Sequence, residues 1–135
     1  MNWITNPAKR LSFLLYLIAL HSFTVGLGLI LHPGFLMNFA GYDTITESFF
    51  PVQGGVFHII MAVCYFLGAY DLVKHRCLVV FAIFIKTFAT VFLFTYYIFV
   101  DQVWMILFSG FTDGFMALFL YLAFIFYDKT ISTGC

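Results

Sequence analysis

Charge is scarce in this chain: only 9% of its 135 residues are Asp, Glu, Lys or Arg, against about 25% in soluble domains. Six basic residues balance six acidic ones. No basic patch is left for a phosphate backbone, which argues against nucleic acid as a partner. Cysteine is also sparse: Cys64, Cys77 and Cys135 lie far apart, with no CxxC pair. That argues against thiol redox chemistry and zinc. Cys64 and Cys77, in or beside apolar runs, read as small packing residues. No HExxH, GxSxG, phosphate-binding loop or dinucleotide fingerprint occurs, so protease, hydrolase, kinase and nucleotide-binding machinery have no footing. The "GLG" at Gly26–Gly28 lies inside an apolar run rather than at a strand-to-helix turn. No segment alternates with period two, and open sheet edges cannot face lipid, so a sheet is not expected.

What the chain has instead is apolar surface. It is 64% hydrophobic and carries 20 phenylalanines, more than one small soluble core can hide. A bilayer accepts such faces, and four segments have the roughly 20 apolar residues that a spanning helix needs: Leu11–Leu31, Val52–Tyr70, Cys77–Phe99 and Gln102–Tyr127. The reading is an all-α fold, a single domain over residues 1–135 forming an integral membrane four-helix bundle with antiparallel up-down topology. The apolar run after Lys9 and Arg10 has no small-residue cleavage motif, so it reads as the first span rather than a signal peptide. The "HPG" at His32–Gly34 should stop span 1, with Gly34 tolerating left-handed geometry. The stretch from Phe35 to Phe50 is too polar to span, although a short interfacial helix fits there. Thr44 and Glu47 have capping-box spacing, and Pro51 suits the first turn of span 2. Short joints, "DLVKHR" and "FVDQVW", make neighbouring spans antiparallel.

Lys9 and Arg10, Lys74 and Arg76, and Lys129 all fall on one side of these spans, while Asp43, Glu47 and Asp101 fall on the other, which has no Lys or Arg. Basic residues stay inside, so both termini are expected to be cytoplasmic, in a cell inner membrane. Trp3, Trp104, Tyr42, Tyr96 and Tyr127 lie near span ends, as an aromatic belt requires.

Two full charges sit within the spans: Lys86 inside "LVVFAIFIKTFATVFLF" and Asp113 inside "MILFSGFTDGFMALFLYLAF". An unpaired charge there costs several kcal/mol. Lys86 is 15 residues before Asp101 and Asp113 is 12 after it. The difference is about 4.5 Å of helix, which a lysine stem can cover, so the two are expected to pair. His21 and His58 fall in the same outer half. Small residues mark the inward faces: Ser109 and Ala117 around Asp113, Ala82, Ala89 and Thr90 around Lys86, Gly54 and Gly55 before His58, and Ser22 and Gly26 on span 1. Gly110 and Gly114 form a small-xxx-small pair, for internal packing or a dimer contact. The candidate polar site is therefore Lys86, Asp113, His21, His58, Ser109 and Thr90. It reads either as a structural ion pair or as a place for a small ligand, quinone or proton; Lys86 snorkelling to the cytoplasmic headgroups is the third option. His21 and His58 are the only histidines well inside spans and so the only candidate ligands for a b-type haem. Their depths along the spans differ by about 6 Å. No other metal site is expected.

Three stretches, "ESFFPVQGGVFHIIMAVCYFLGAYD" (Glu47–Asp71), "SGFTDGFMALFLYLAF" (Ser109–Phe124) and "LGLILHPGF" (Leu27–Phe35), resemble the DoxX-like group of small four-helix bacterial membrane proteins. The resemblance spans Leu11–Asp128 and implies a partner role beside membrane oxidoreductases. Many members carry arginine in or near the third helix where this chain has Lys86, and lysine lacks arginine's planar fork. Small size, short loops and no catalytic motif point to an accessory or structural subunit of a larger inner-membrane complex, not an enzyme on its own. The alternatives are a stand-alone protein that binds or transports a small ligand, and a haem- or quinone-binding component. Expected partners are lipids and other membrane subunits or a second copy.

Overall fold

The computed structural model describes residues 6–42 and 47–132, without the side chains of 131 and 132. Its elements are α1 (Pro7–Leu31), α2 (Gly34–Ala40), α3 (Phe49–Tyr70), α4 (Arg76–Phe99) and α5 (Trp104–Ser132), with no strand among the described residues. Four of them, α1, α3, α4 and α5, are long and apolar enough to cross a membrane.

Local chemistry fixes the ends. α1 starts four residues before the hydropathy edge at Leu11, because the Asn6 side chain accepts from the N–H groups of Ala8 (3.0 Å) and Lys9 (3.3 Å) and Pro7 occupies the first helical position. α1 ends at Leu31, as the proline following His32 demands, but the left-handed residue is His32 (φ +27°), not Gly34. The His32 amide donates to the Gly28 carbonyl at 2.8 Å, and its ring Nδ1 lies against the carbonyls of Leu29 and Ile30. Gly34 instead opens the short helix α2, which closes at the left-handed Gly41. At α3, the Glu47 carboxylate accepts from the Phe49 amide at 2.9 Å, and Pro51 falls in the first turn. Its proposed capping-box partner Thr44 lies outside the described residues, as do Trp3 and Asp43. Asp71 Oδ1 accepts from the Val73 and Lys74 amides and shapes the α3–α4 turn.

The four long helices form a ring in which α1 packs on α3 and α5, and α4 on α3 and α5. Neighbours run antiparallel: Ser12 near the start of α1 donates to the Ala69 carbonyl near the end of α3 (2.6 Å), and Arg76 at the start of α4 meets Asp128 near the end of α5 (2.6 Å). The apolar core fills the half of the bundle that holds these ends. Leu11, Leu15, Ala82 and Leu120 are fully buried, with Val79 and Tyr65 beside them. Tyr127 belongs to this core and is buried, which removes it from the aromatic belt. At the opposite end the Trp104 indole donates to the Phe39 carbonyl (3.2 Å) and meets the Phe39 ring edge-on, which pins α2 against α5. Tyr42, in the loop there, has its hydroxyl pKa raised by partial burial, then by the Asp101 carboxylate and Tyr96. Cys64 is half-buried, whereas Cys77 is exposed at the start of α4.

Candidate functional site

Above the apolar core the interior turns polar. Lys86 Nζ donates to Asp113 Oδ1 at 2.5 Å, with the two residues only 3% and 8% exposed. Lys86 therefore does not snorkel to the membrane surface. Its ammonium also lies 5.9 Å from the centre of the Tyr65 ring on α3, a cation–π contact that periodicity on one helix does not reveal. The pair thus joins α4 to α5 and turns toward α3. Thr90, one turn on, donates to the Lys86 carbonyl at 2.7 Å. Its hydroxyl is spent within α4, and its methyl packs 3.3 Å from where a Cβ on Gly114 would stand. Gly110 likewise faces Leu93 and Phe94 of α4. The Gly110–Gly114 pair is an internal surface in this bundle, not a free dimer face. Ser109 is half-buried and makes no hydrogen bond with either charge, so its place one turn from Asp113 does not bring it into the site.

On the facing helices, buried Ser22 donates to the His58 carbonyl (3.0 Å) and stands 3.2 Å from His58 Nδ1. His58 is therefore level with Ser22, next to His21, and the 6 Å offset expected from hydropathy edges disappears. Its cause is a close crossing one turn away: a Cβ on Gly26 would lie 2.8 Å from the Gly55 carbonyl oxygen, and one on Gly55 2.7 Å from that of Gly26. The two backbones touch there, and that contact sets the register. His21 is half-buried with Nδ1 buried and unpartnered. The charges of both Lys86 and Asp113 reach His21 and His58.

Equal depth alone does not make a haem site. The α1 and α3 backbones touch one turn away, and His58 Nδ1 lies 3.2 Å from Ser22 Oγ rather than facing an open space. No group of three or more His, Cys, Asp or Glu side chains that could hold a metal occurs among the described residues. What the arrangement offers chemically is a nearly closed ion pair with two imidazoles at its edge. One ion pair that sequence reasoning missed, Arg76 with Asp128, is half exposed. Its signal was available in the convergence of the α4 start and the α5 end.

The chain matches no family model, no curated protein and no solved structure.

Proposed function

We propose that the chain is a multi-pass protein of a cell inner membrane, with both termini and the Lys74–Arg76 turn cytoplasmic, serving as an accessory or structural subunit of a larger membrane assembly. The observation that carries this reading is the contrast between its inside and its outside. The buried charges satisfy each other, while the outward face of α4 presents Phe84, Phe88 and Phe92, with Phe84 stacked on Phe88 and Phe92 tilted against Tyr96. A closed interior and a broad aromatic exterior suit packing against other subunits better than turnover. Lys86–Asp113 then fixes register between helices. Kinship with the DoxX-like group, and hence service to an oxidoreductase, belongs to the same proposal and rests on the three stretches quoted above.

Purification in a gentle detergent tests the subunit role: a stable stoichiometric partner is expected, photocrosslinkable from position 88, and isolation as a free monomer would overturn it. Orientation is tested by thiol labelling of Ser132→Cys and Thr46→Cys chains whose native cysteines are replaced by serine. Only position 46 should label from outside the membrane; outside labelling at 132 reverses the topology.

A second reading is favoured by His21, whose buried ring nitrogen has no partner and sits in the field of the ion pair. It is the atom a quinone or another small polar ligand would meet. Solvent extraction and an absorption spectrum decide: a colourless, quinone-free preparation sinks this reading.

A further inference from the structure

Two cavities run end to end along the outer crevice between α1 and α3. One, of about 510 Å³, opens at the end that carries the start of α1 and is lined by Lys9, Ser12, Tyr16, Tyr70 and Asp71, among others. The next, of about 360 Å³, is apolar and lined by Tyr16, Leu20, Phe23, Ala62 and Val63, among others. Tyr16 lines both, and its ring meets that of Phe66 edge-on (5.4 Å) where they adjoin. A chain running from one to the other passes over these two half-exposed rings, and the two are taken together as one furrow. From Lys9 to Phe23 is fourteen residues, about 21 Å of helix, a little more than the roughly 15 Å of one leaflet's hydrocarbon. Polarity changes along it in one direction: charged and hydroxyl groups at the mouth, aliphatic and aromatic groups beyond.

The mouth carries one cation and one carboxylate. Lys9 and Asp71 share the rim without forming an ion pair. Asp71 uses Oδ1 for the Val73 and Lys74 amides, which leaves Oδ2 for a ligand. Lys9 is exposed, as is Tyr70 at 74%. The Ser12 hydroxyl is committed to the Ala69 carbonyl. A phosphate suits Lys9 and the Tyr70 hydroxyl, while an ammonium suits Asp71. A headgroup with one of each, attached to a chain that fills an apolar furrow one leaflet deep, is a zwitterionic aminophospholipid.

We propose that this furrow binds one phosphatidylethanolamine molecule, phosphate at Lys9, ammonium at Asp71, and one acyl chain past Tyr16 toward Phe23. The proposal rests on the membrane reading above but not on its orientation. Mixed micelles have no inside or outside, so headgroup preference there is independent of which end is cytoplasmic, and labelling at positions 46 and 132 tests that separately.

The full chain, delipidated in detergent, is given equal amounts of phosphatidylethanolamine and phosphatidylglycerol with the same acyl chains and examined by native mass spectrometry. One phosphatidylethanolamine should be retained in preference. Lys9→Gln should lower its retention about fivefold, the effect of one cation at a lipid surface. Asp71→Asn keeps the acceptor needed by the turn and should abolish the preference between the two lipids. Leu20→Trp and Val63→Trp, at exposed lining positions, should reduce both lipids alike; the one whose helical circular dichroism is unchanged is scored. Equal or greater retention of phosphatidylglycerol by the wild type overturns the headgroup assignment. Retention unchanged by Lys9→Gln and by the tryptophan variants overturns the site. A dimer peak that the tryptophan variants abolish would instead assign the furrow to a second copy of the chain.

Discussion

Compare the two seams of the bundle. α1 meets α3 where Gly26 and Gly55 touch backbone to backbone; α4 meets α5 where a buried lysine reaches an aspartate. The first seam is steric. Lipid is as apolar as leucine, so close packing of small residues is what holds helices together there, and it works equally in detergent or bilayer. The second seam is electrostatic and draws its strength from being nearly closed to solvent. Steric contact sets how near two helices lie. A single ion pair sets their register and punishes any loss of one partner.

The comparison breaks most sharply at the charges. Lys86→Met alone leaves Asp113 buried and unpaired and should lose about 3–5 kcal/mol of stability. Combined with Asp113→Leu, most of that loss should return. Thermal unfolding of the four chains in detergent gives the coupling, and a coupling near zero contradicts the pair. Next is Gly55→Val, whose Cβ would meet the Gly26 carbonyl oxygen at 2.7 Å. Overpacking of this kind costs about 1–3 kcal/mol, and crosslinking between cysteines on α1 and α3 should fall with it. The neighbouring Gly54→Ala, whose Cβ has nothing nearer than Leu29 Cδ1 at 3.8 Å, should be neutral or stabilising by about 0.5–1 kcal/mol, since alanine is the better helix former. If both glycines respond alike, the seam is not steric. Gly114→Ala, 3.3 Å from the Thr90 methyl, should fall between them.

The smallest effect lies outside both seams. Tyr42 has a raised pKa, so ionising it is harder in the fold than in the unfolded chain. Stability should be unaffected below the ordinary tyrosine value of about 10 and fall as pH rises past it. Tyr42→Phe should flatten that fall in an alkaline melting series.

The ion pair was legible because both residues are counted from the same short turn, which makes errors in span boundaries cancel. The four spans were legible from hydropathy, and the small residues around Gly26 and Gly55 marked a close approach. The level of His58 against Ser22 was not, because it depends on where two helices cross, and no loop ties Gly26 directly to Gly55. The burial of Tyr127 and the contact of Lys86 with the Tyr65 ring were hidden for a similar reason. Each depends on the face presented by a helix that is hydrophobic nearly all round, where periodicity carries little information. Ser109 shows the converse error: sharing a face with Asp113 does not guarantee sharing its contacts.

The four-residue joint from Val100 to Val103 bears on how the chain enters a bilayer. Lys86 and Asp113 are 27 residues apart, so at about 5–20 residues per second of synthesis the lysine waits only a few seconds for its counter-ion. α4 alone offers lipid a bare ammonium, and α5 alone a bare carboxylate; as a hairpin they offer neither. We expect the two to partition into lipid together, as one unit. Nascent chains arrested before Asp113 has left the ribosome should then leave α4 extractable by alkali, and chains arrested well beyond Leu120 should not. Extraction independent of the arrest point would show that α4 inserts by itself.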